Sequence, residues 1–314
     1  MNQPHFASTP LLMSDSGIAY RYQKGSNQKD GHQSLPPIVL LHGLSQQADF
    51  WYPVIESLGS EYSTLSIDLR GHGESRRMEP DYRISRVSED CMEVMNELGV
   101  GKAILVGHSW GASVALHFAA VNPQLSAGCV LVDGGAFTPA NILQSGSITR
   151  EDLRVALTPP PGPFSRAELL ANYLPAGIAI STQQRESVMA AVGRTYVDAP
   201  GGGSVTTMGF DRHMAVLEAF FDYNPDPDLA ALTVPTWILI ACDKFAGSRA
   251  QTDDDWTQSK SHVDIKVRQK MNIALQHWYG AVHDVPLYWP NRVAQLISHA
   301  ASAPAFDGVK ARLT

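Results

Sequence analysis

Apolar positions along this chain fall into two kinds of run that alternate. Ile38–Gly43, Ala103–Val106, Ala127–Gly135 and Thr236–Ala241 are short, branched and nearly unbroken, which predicts strands buried on both faces. Tyr62–Asp68 and Ile273–Gly280 read as two more. Between them lie helical periods. Ile84, Val87, Cys91, Val94, Met95 and Leu98 recur on one face of a helix, and Gly99 follows as its stop. Trp110–Ala120 is Ala-rich and halts near Asn122-Pro123, and Asn291–Ala301 predicts a closing helix. The opening "PLLMSDSGIAYRYQKG" alternates around a Ser-Asp-Ser-Gly turn and predicts an edge hairpin. Strands alternating with helices predict an α/β fold with a mainly parallel central sheet flanked by helices.

From Phe137 to Ala230 the alternation breaks. The segment has helical patches at Ala167–Leu174 and Gln183–Val192, the loop "DAPGGGS", and an amphipathic "HMAVLEAFFDY" with Met214, Leu217 and Phe221 on one face. No strand pattern stands out, so the expected organisation is a core domain of residues 1–136 and 231–314 carrying a helical insertion at 137–230. The triple glycine Gly201–Gly203 reads as a surface loop rather than a hinge.

Composition narrows the function. Charged residues at 18% and apolar ones at 44% fit a globular protein of 314 residues. The net charge of −7 offers no basic footprint, so nucleic acid is not an expected partner. No apolar run approaches the ~20 residues that span a bilayer. The N-terminal "MNQPHFASTP" has neither a basic nor an apolar leader region, and the expectation is a cytoplasmic protein. Cys91, Cys129 and Cys242 are odd in number and lack metal-ligand spacing, so they read as buried, reduced thiols. No metal or organic cofactor is expected, and the oligomeric state is left open.

The chemistry gathers in "AILVGHSWGASVALHFAAVNP", residues 103–123, where Ser109 sits on a strand-to-helix turn. Gly107 and Gly111 flank it, because strand and helix backbones nearly touch there and leave no space for a Cβ. This G-x-S-x-G turn resembles the nucleophile elbow of the α/β-hydrolase superfamily. Further segments resemble that family in the same order: "LHGL" its oxyanion loop, "DLRGHGES" the turn after its fourth strand, and "AVHDVPLYWPNRVAQLI" its histidine loop and last helix. The resemblance covers residues 38–135 and 234–301, and implies an α/β-hydrolase fold with a helical cap.

A serine hydroxyl is a poor nucleophile until a base takes its proton. His283 is the candidate base, since it follows the last strand at the sheet edge that carries Ser109, and imidazole titrates near working pH. His42 and His72 lie in glycine turns, His108 precedes the nucleophile, and His277 falls within a strand, all places where a histidine commonly packs. The resemblance also implies a carboxylate to orient His283. Members commonly carry it in a glycine turn after the strand that follows the insertion, where this chain has Ala241 for the glycine, Lys244 for the acid, and Asp243 one residue early. Others, including part of the haloalkane dehalogenase group, carry it at the end of the preceding strand, where this chain has Asp133. Both candidates stay open, and Asp253, Asp254 and Asp255 read as a helix N-terminal cluster. The implied oxyanion donors are the backbone N–H groups of Leu44 and Trp110.

The elbow "GHSWG" is similar to that of haloalkane dehalogenases and epoxide hydrolases, which carry aspartate where this chain has Ser109. Displacement at carbon uses a carboxylate, whereas serine with histidine suits acyl transfer. The expected function is a serine hydrolase of small, apolar carboxylic esters acting through an acyl-enzyme, with a small-molecule ester-type substrate as its partner. Lactone, amide or carbon–carbon bond hydrolysis on the same residues, a slow-turnover receptor-like protein, and a cofactor-free haloperoxidase or perhydrolase are the alternatives. Phe50 and Trp51 read as helix anchors rather than pocket walls.

Overall fold

Runs of Val, Ile and Leu that are apolar at every position need cover on both sides, and the chain supplies it by folding helices over each face of one sheet. A computed structural model describes residues 9–26, 35–146, 148–160, 162–173, 180–242, 263–268 and 270–302. The strands in chain order are β1 (Leu12–Met13), β2 (Ala19–Gln23), β3 (Ile38–Leu41), β4 (Thr64–Ile67), β5 (Ala103–His108), β6 (Ser126–Val132), β7 (Tyr196–Asp198), β8 (Ser204–Thr206), β9 (Thr236–Ala241) and β10 (Ile273–Trp278). Eight of them form a sheet in the order β1-β2-β4-β3-β5-β6-β9-β10. The β1–β2 hairpin joins β4 antiparallel, and every pairing from β4 to β10 is parallel.

Alternate residues of the central strands serve opposite faces. Val39, Leu41, Leu105, Leu131 and Ile238 pack under α2 (Ile84–Glu97) and α3 (Trp110–Val121). Ile38, Leu40, Val106, Val130 and Leu239 pack against α1 (Tyr52–Leu58) and, from the far end of the chain, the closing helix. Both clusters are buried, which is why the strand runs show no polar alternation.

Between β6 and β9 come α4 (Pro139–Ser145), α5 (Arg150–Leu157), α6 (Arg166–Tyr173), α7 (Thr182–Val192), α8 (Phe210–Phe221) and α9 (Asp226–Ala231). After β10 follow α10 (Val285–Tyr288) and the closing helix, α11 (Pro290–Ser302). Met214, Leu217 and Phe221 of α8 meet Ile142 and Leu153 in a small cluster of their own. The antiparallel pair β7–β8 departs from the all-helical expectation for this segment. Each strand has three residues, too few to show a period of two, and Gly201, Gly202 and Gly203, all at positive φ, turn the chain between them.

Two more expectations are corrected. The strand anticipated over Ala127–Gly135 ends at Val132, because Asp133 turns to φ 45°. Cys242 is exposed rather than buried, since it lies just past the end of β9, with its sulfur 3.6 Å from His277 Nδ1. Cys91 and Cys129 are buried, and burial pushes both thiols up. No helix among the described residues is long and apolar enough to cross a membrane.

Candidate active site

Three loops meet at the C-terminal edge of the parallel strands, and their closest approaches are made at glycines. A Cβ on Gly107 would lie 2.2 Å from the Gly111 oxygen, one on Gly111 2.3 Å from the His42 oxygen, and one on Gly134 2.4 Å from the Ser109 oxygen. Gly107 and Gly111 therefore let α3 leave β5 at once. Ser109, caught between them, takes φ 53° and ψ −119° and donates its N–H to the Val132 oxygen at 3.0 Å. Ser45, Ser109 and Asp133, just beyond β3, β5 and β6, are the non-glycine residues at positive φ among the described residues. Strain of this kind persists where the surrounding packing over-determines it.

Asp133 is buried, and both of its carboxylate oxygens are engaged. Oδ1 accepts the Ala241 N–H at 2.9 Å, and Oδ2 lies 2.7 Å from His283 Nδ1. An acceptor on Nδ1 selects the tautomer with the proton there and leaves Nε2 as the basic nitrogen. The other acid candidate, Asp243, lies outside the described residues, as do Lys244 and Asp253, Asp254 and Asp255.

Gly43 brings the oxyanion-loop candidate close to the serine: a Cβ there would lie 3.1 Å from Ser109 Cβ. Among the described residues neither the Leu44 nor the Trp110 amide has a hydrogen-bond acceptor. Trp110 opens α3, so its N–H belongs to the unsatisfied first turn of a helix, where negative charge is favoured.

The remaining histidines divide by environment. His42 is buried, with Nδ1 on the Gly43 oxygen at 2.8 Å and Nε2 accepting the Leu69 N–H at 3.0 Å, and burial holds it well below the usual range. His72 stacks on Trp110 and is pushed down to about 4, chiefly by burial. His277 faces Asp264 at 3.1 Å. His108 does more than pack: its ring lies 4.8 Å from that of His283, and Nε2 is 2.9 Å from the His283 carbonyl oxygen. Phe50 also stacks on the His108 ring, at 4.9 Å.

Sequence reasoning missed several neighbours. Gln46 bonds both the Gly43 amide and Asp284, and Ser45 Oγ meets His213 Nδ1 of α8 at 2.6 Å. An acid directly after His283 in "VHDV" was the one available signal. Nitrogen and oxygen atoms of His108, His283 and Asp284 also lie within 4.8 Å of one another, the spacing a metal ion needs, although each residue is already hydrogen-bonded within the protein.

A cavity of about 620 Å³ opens in the intervening segment, lined by Phe164, Leu169, Tyr173, Met189, Val192 and Tyr196 among others. Tyr196 donates its hydroxyl to that of Tyr173 at 3.3 Å, and Tyr288 donates to the Tyr173 carbonyl at 2.6 Å. Burial raises Tyr173 and Tyr196, and the negative charge of Asp284 adds to both, so this wall of the cavity stands within electrostatic reach of the residue beside His283.

The elbow, the strand order and the two-faced sheet are those of the α/β-hydrolase fold, and residues 36–167 match the family model for the alpha/beta hydrolase fold. Over 127 residues it is 28% identical to the (E)-2-((N-methylformamido)methylene)succinate hydrolase of Acinetobacter baylyi, which covers 40% of this chain and 45% of that protein. Over 101 residues it is 40% identical to epoxide hydrolase B of Mycobacterium tuberculosis, covering 31% and 28% respectively. The chain thus spans less than half the length of these curated relatives. The crystal structure of E-2-(acetamidomethylene)succinate hydrolase matches with a TM-score of 0.71 at 21% identity, over 94% of this chain and 100% of that one.

Proposed function

We propose that this protein is a serine hydrolase that cleaves carboxylic esters of small, largely apolar substrates through an acyl-enzyme. The observation that carries the reading is the 2.7 Å contact between Asp133 and His283 Nδ1, at the sheet edge where Ser109 is strained into the elbow. In this reading His283 Nε2 takes the Ser109 proton as Oγ attacks the ester carbonyl, and Asp133 stabilises the imidazolium that forms. The Leu44 and Trp110 amides receive the tetrahedral oxyanion, each worth roughly 2.7 to 4 kcal/mol in the transition state. The leaving alcohol takes its proton from His283, and water repeats the sequence on the acyl-enzyme. Residues 137–230 act as a cap, and Phe164, Leu169, Met189 and Val192 in the lining of their cavity, which also holds Ser165, Asp198 and Ser204, support an apolar group on the substrate beside polar contacts.

A hydroxyl at position 109 speaks against epoxide opening, which needs a carboxylate at the elbow. Amide hydrolysis of a succinate-type substrate is a second reading, favoured by the similarity to the Acinetobacter succinate hydrolase. The test is a panel of p-nitrophenyl esters, lactones and amidomethylene succinates, run on the parent protein and Ser109→Ala. A burst of p-nitrophenol followed by turnover, lost in the variant, is expected. A fluorophosphonate should label the parent at Ser109. Labelling at another residue, or full activity in the variant, sinks the mechanism, and turnover of the succinate amides alone moves the substrate to the second reading.

A further inference from the structure

Beside Ser109 and His283 lies a set of polar side chains that the proposed reaction does not use. Gln46 Oε1 accepts the Gly43 N–H at 2.9 Å, and Gln46 Nε2 donates to Asp284 Oδ1 at 3.0 Å. Those two contacts decide which end of the amide is which. Turning it over would set N–H against N–H at Gly43 and oxygen against oxygen at Asp284. The oxygen so oriented also faces His108 Nδ1 at 3.2 Å. On the far side of the same ring, Nε2 faces the His283 carbonyl oxygen at 2.9 Å, with Asp284 Oδ1 at 3.9 Å. Both nitrogens of a buried ring therefore point at acceptors. A neutral imidazole has a single N–H and would leave two lone pairs opposed, a costly arrangement away from water.

We propose that His108 is carried as an imidazolium with Asp284 as its counterion, and that this pair, joined through Gln46, is a positioning unit. It locks the oxyanion loop after β3, the strand leading to Ser109 and the loop carrying His283 into one geometry. The proposal rests on the reading of Ser109 and His283 as nucleophile and base. His108 is faced by His283, Phe50 and Gln46, with His42 in electrostatic reach. Asp284 is faced by Gln46, His108 and His283, by the charge of Asp133, and by Tyr173, Tyr196 and Tyr288; burial raises its carboxyl, and His283 and the Gln46 amide act against that rise. Burial raises all three tyrosines, so they stay neutral through the working range.

The two charges act on His283 in opposite senses. A cation at His108 disfavours protonation of the neighbouring ring, and the Asp284 anion favours it. His108→Gln keeps a hydrogen-bonding amide and removes the positive charge, so the acid limb of the kcat/KM profile should move up by about 1 pH unit. Asp284→Asn keeps an acceptor for Gln46 and removes the negative charge, so the limb should move down by about as much. Shifts in the same direction, or none, overturn the proposal. A second measurement needs no active variant. In ¹⁵N-histidine-labelled full-length protein near neutral pH, the His108 ring, assigned by its loss in His108→Gln, should show two protonated nitrogens. One bare nitrogen there overturns the proposal even if the limbs move. Failure of Ser109 to react with fluorophosphonate would instead remove the hydrolytic reading, and the nitrogen spectrum would still report on His108.

Discussion

The surroundings of Ser109 and the intervening segment 137–230 are held in different ways. At the elbow, backbone approaches backbone at Gly107, Gly111 and Gly134 too closely for a Cβ, which ties the turn to the strands beside it. The intervening segment is held by side chains. Val188, Ala191 and Val192 of α7 join the cluster beside α1, and Arg194 reaches from the segment to Asp49 at 2.6 Å and to buried Asp68 at 3.3 Å. On its outer surface Arg150 and Arg154 pair with Glu218, all three substantially exposed. Reacting groups must be held to a fraction of an ångström, whereas a proposed cap must admit a substrate. Close-packed backbone suits the first task, and contacts that can be lost one at a time suit the second.

The contrast is broken most directly by Gly111→Ala. Its methyl would overlap the His42 and Leu41 oxygens, and loss of more than about 4 kcal/mol is expected, read as little soluble, folded protein by circular dichroism. A folded, active variant would show that the elbow yields after all. Asp133→Asn comes next. Turnover should fall by about 10⁴ with the melting temperature little changed, because the amide favours the wrong imidazole tautomer. A loss below about tenfold would return the role to Asp243, through the companion variant Asp243→Asn.

Acid should weaken both regions together. His72 of the core and His213 of α8 are held at about 4 by burial, and His42 lies well below its usual value for the same reason. Unfolding returns each ring to about 6.5, so below that pH the unfolded chain binds more protons. The stability these rings contribute is complete above about pH 6.5 and is lost as pH falls towards their folded values, at about 1.4 kcal/mol per pH unit for each ring. Melting temperatures taken from neutral pH down to about 4.5 check the slope, and a flat profile across that window would contradict it.

Smaller effects sharpen the comparison within the intervening segment. Arg194→Met leaves Asp68 buried without its cation and should cost about 2 to 3 kcal/mol in chemical denaturation. A cost near zero would mean that apolar contacts alone hold the segment. Glu218→Ala, which removes an exposed partner of Arg150 and Arg154, should cost under about 1 kcal/mol.

What the sequence determined by itself is local. Unbroken Val, Ile and Leu runs make strands that need two covered faces, an Ala-rich stretch makes the helix behind Ser109, and glycines two positions to either side of that serine announce a turn too tight for a Cβ. Each follows from period, propensity or sterics within some twenty residues, which is why the tight turn and the strands are legible in the sequence. The partner of His283 could not. β6 and β9 run parallel and end at one sheet edge, and only folding sets Asp133, 150 residues away in sequence, against the ring. The Gln46–Asp284 bond spans 238 positions, and Arg194 reaches Asp68 across 126. Cys242 sits in an apolar stretch yet is exposed, because its strand stops one residue earlier. Tertiary structure decided these points, since a hydrogen bond or ion pair between distant residues leaves no period in the chain and exists only where packing closes the distance.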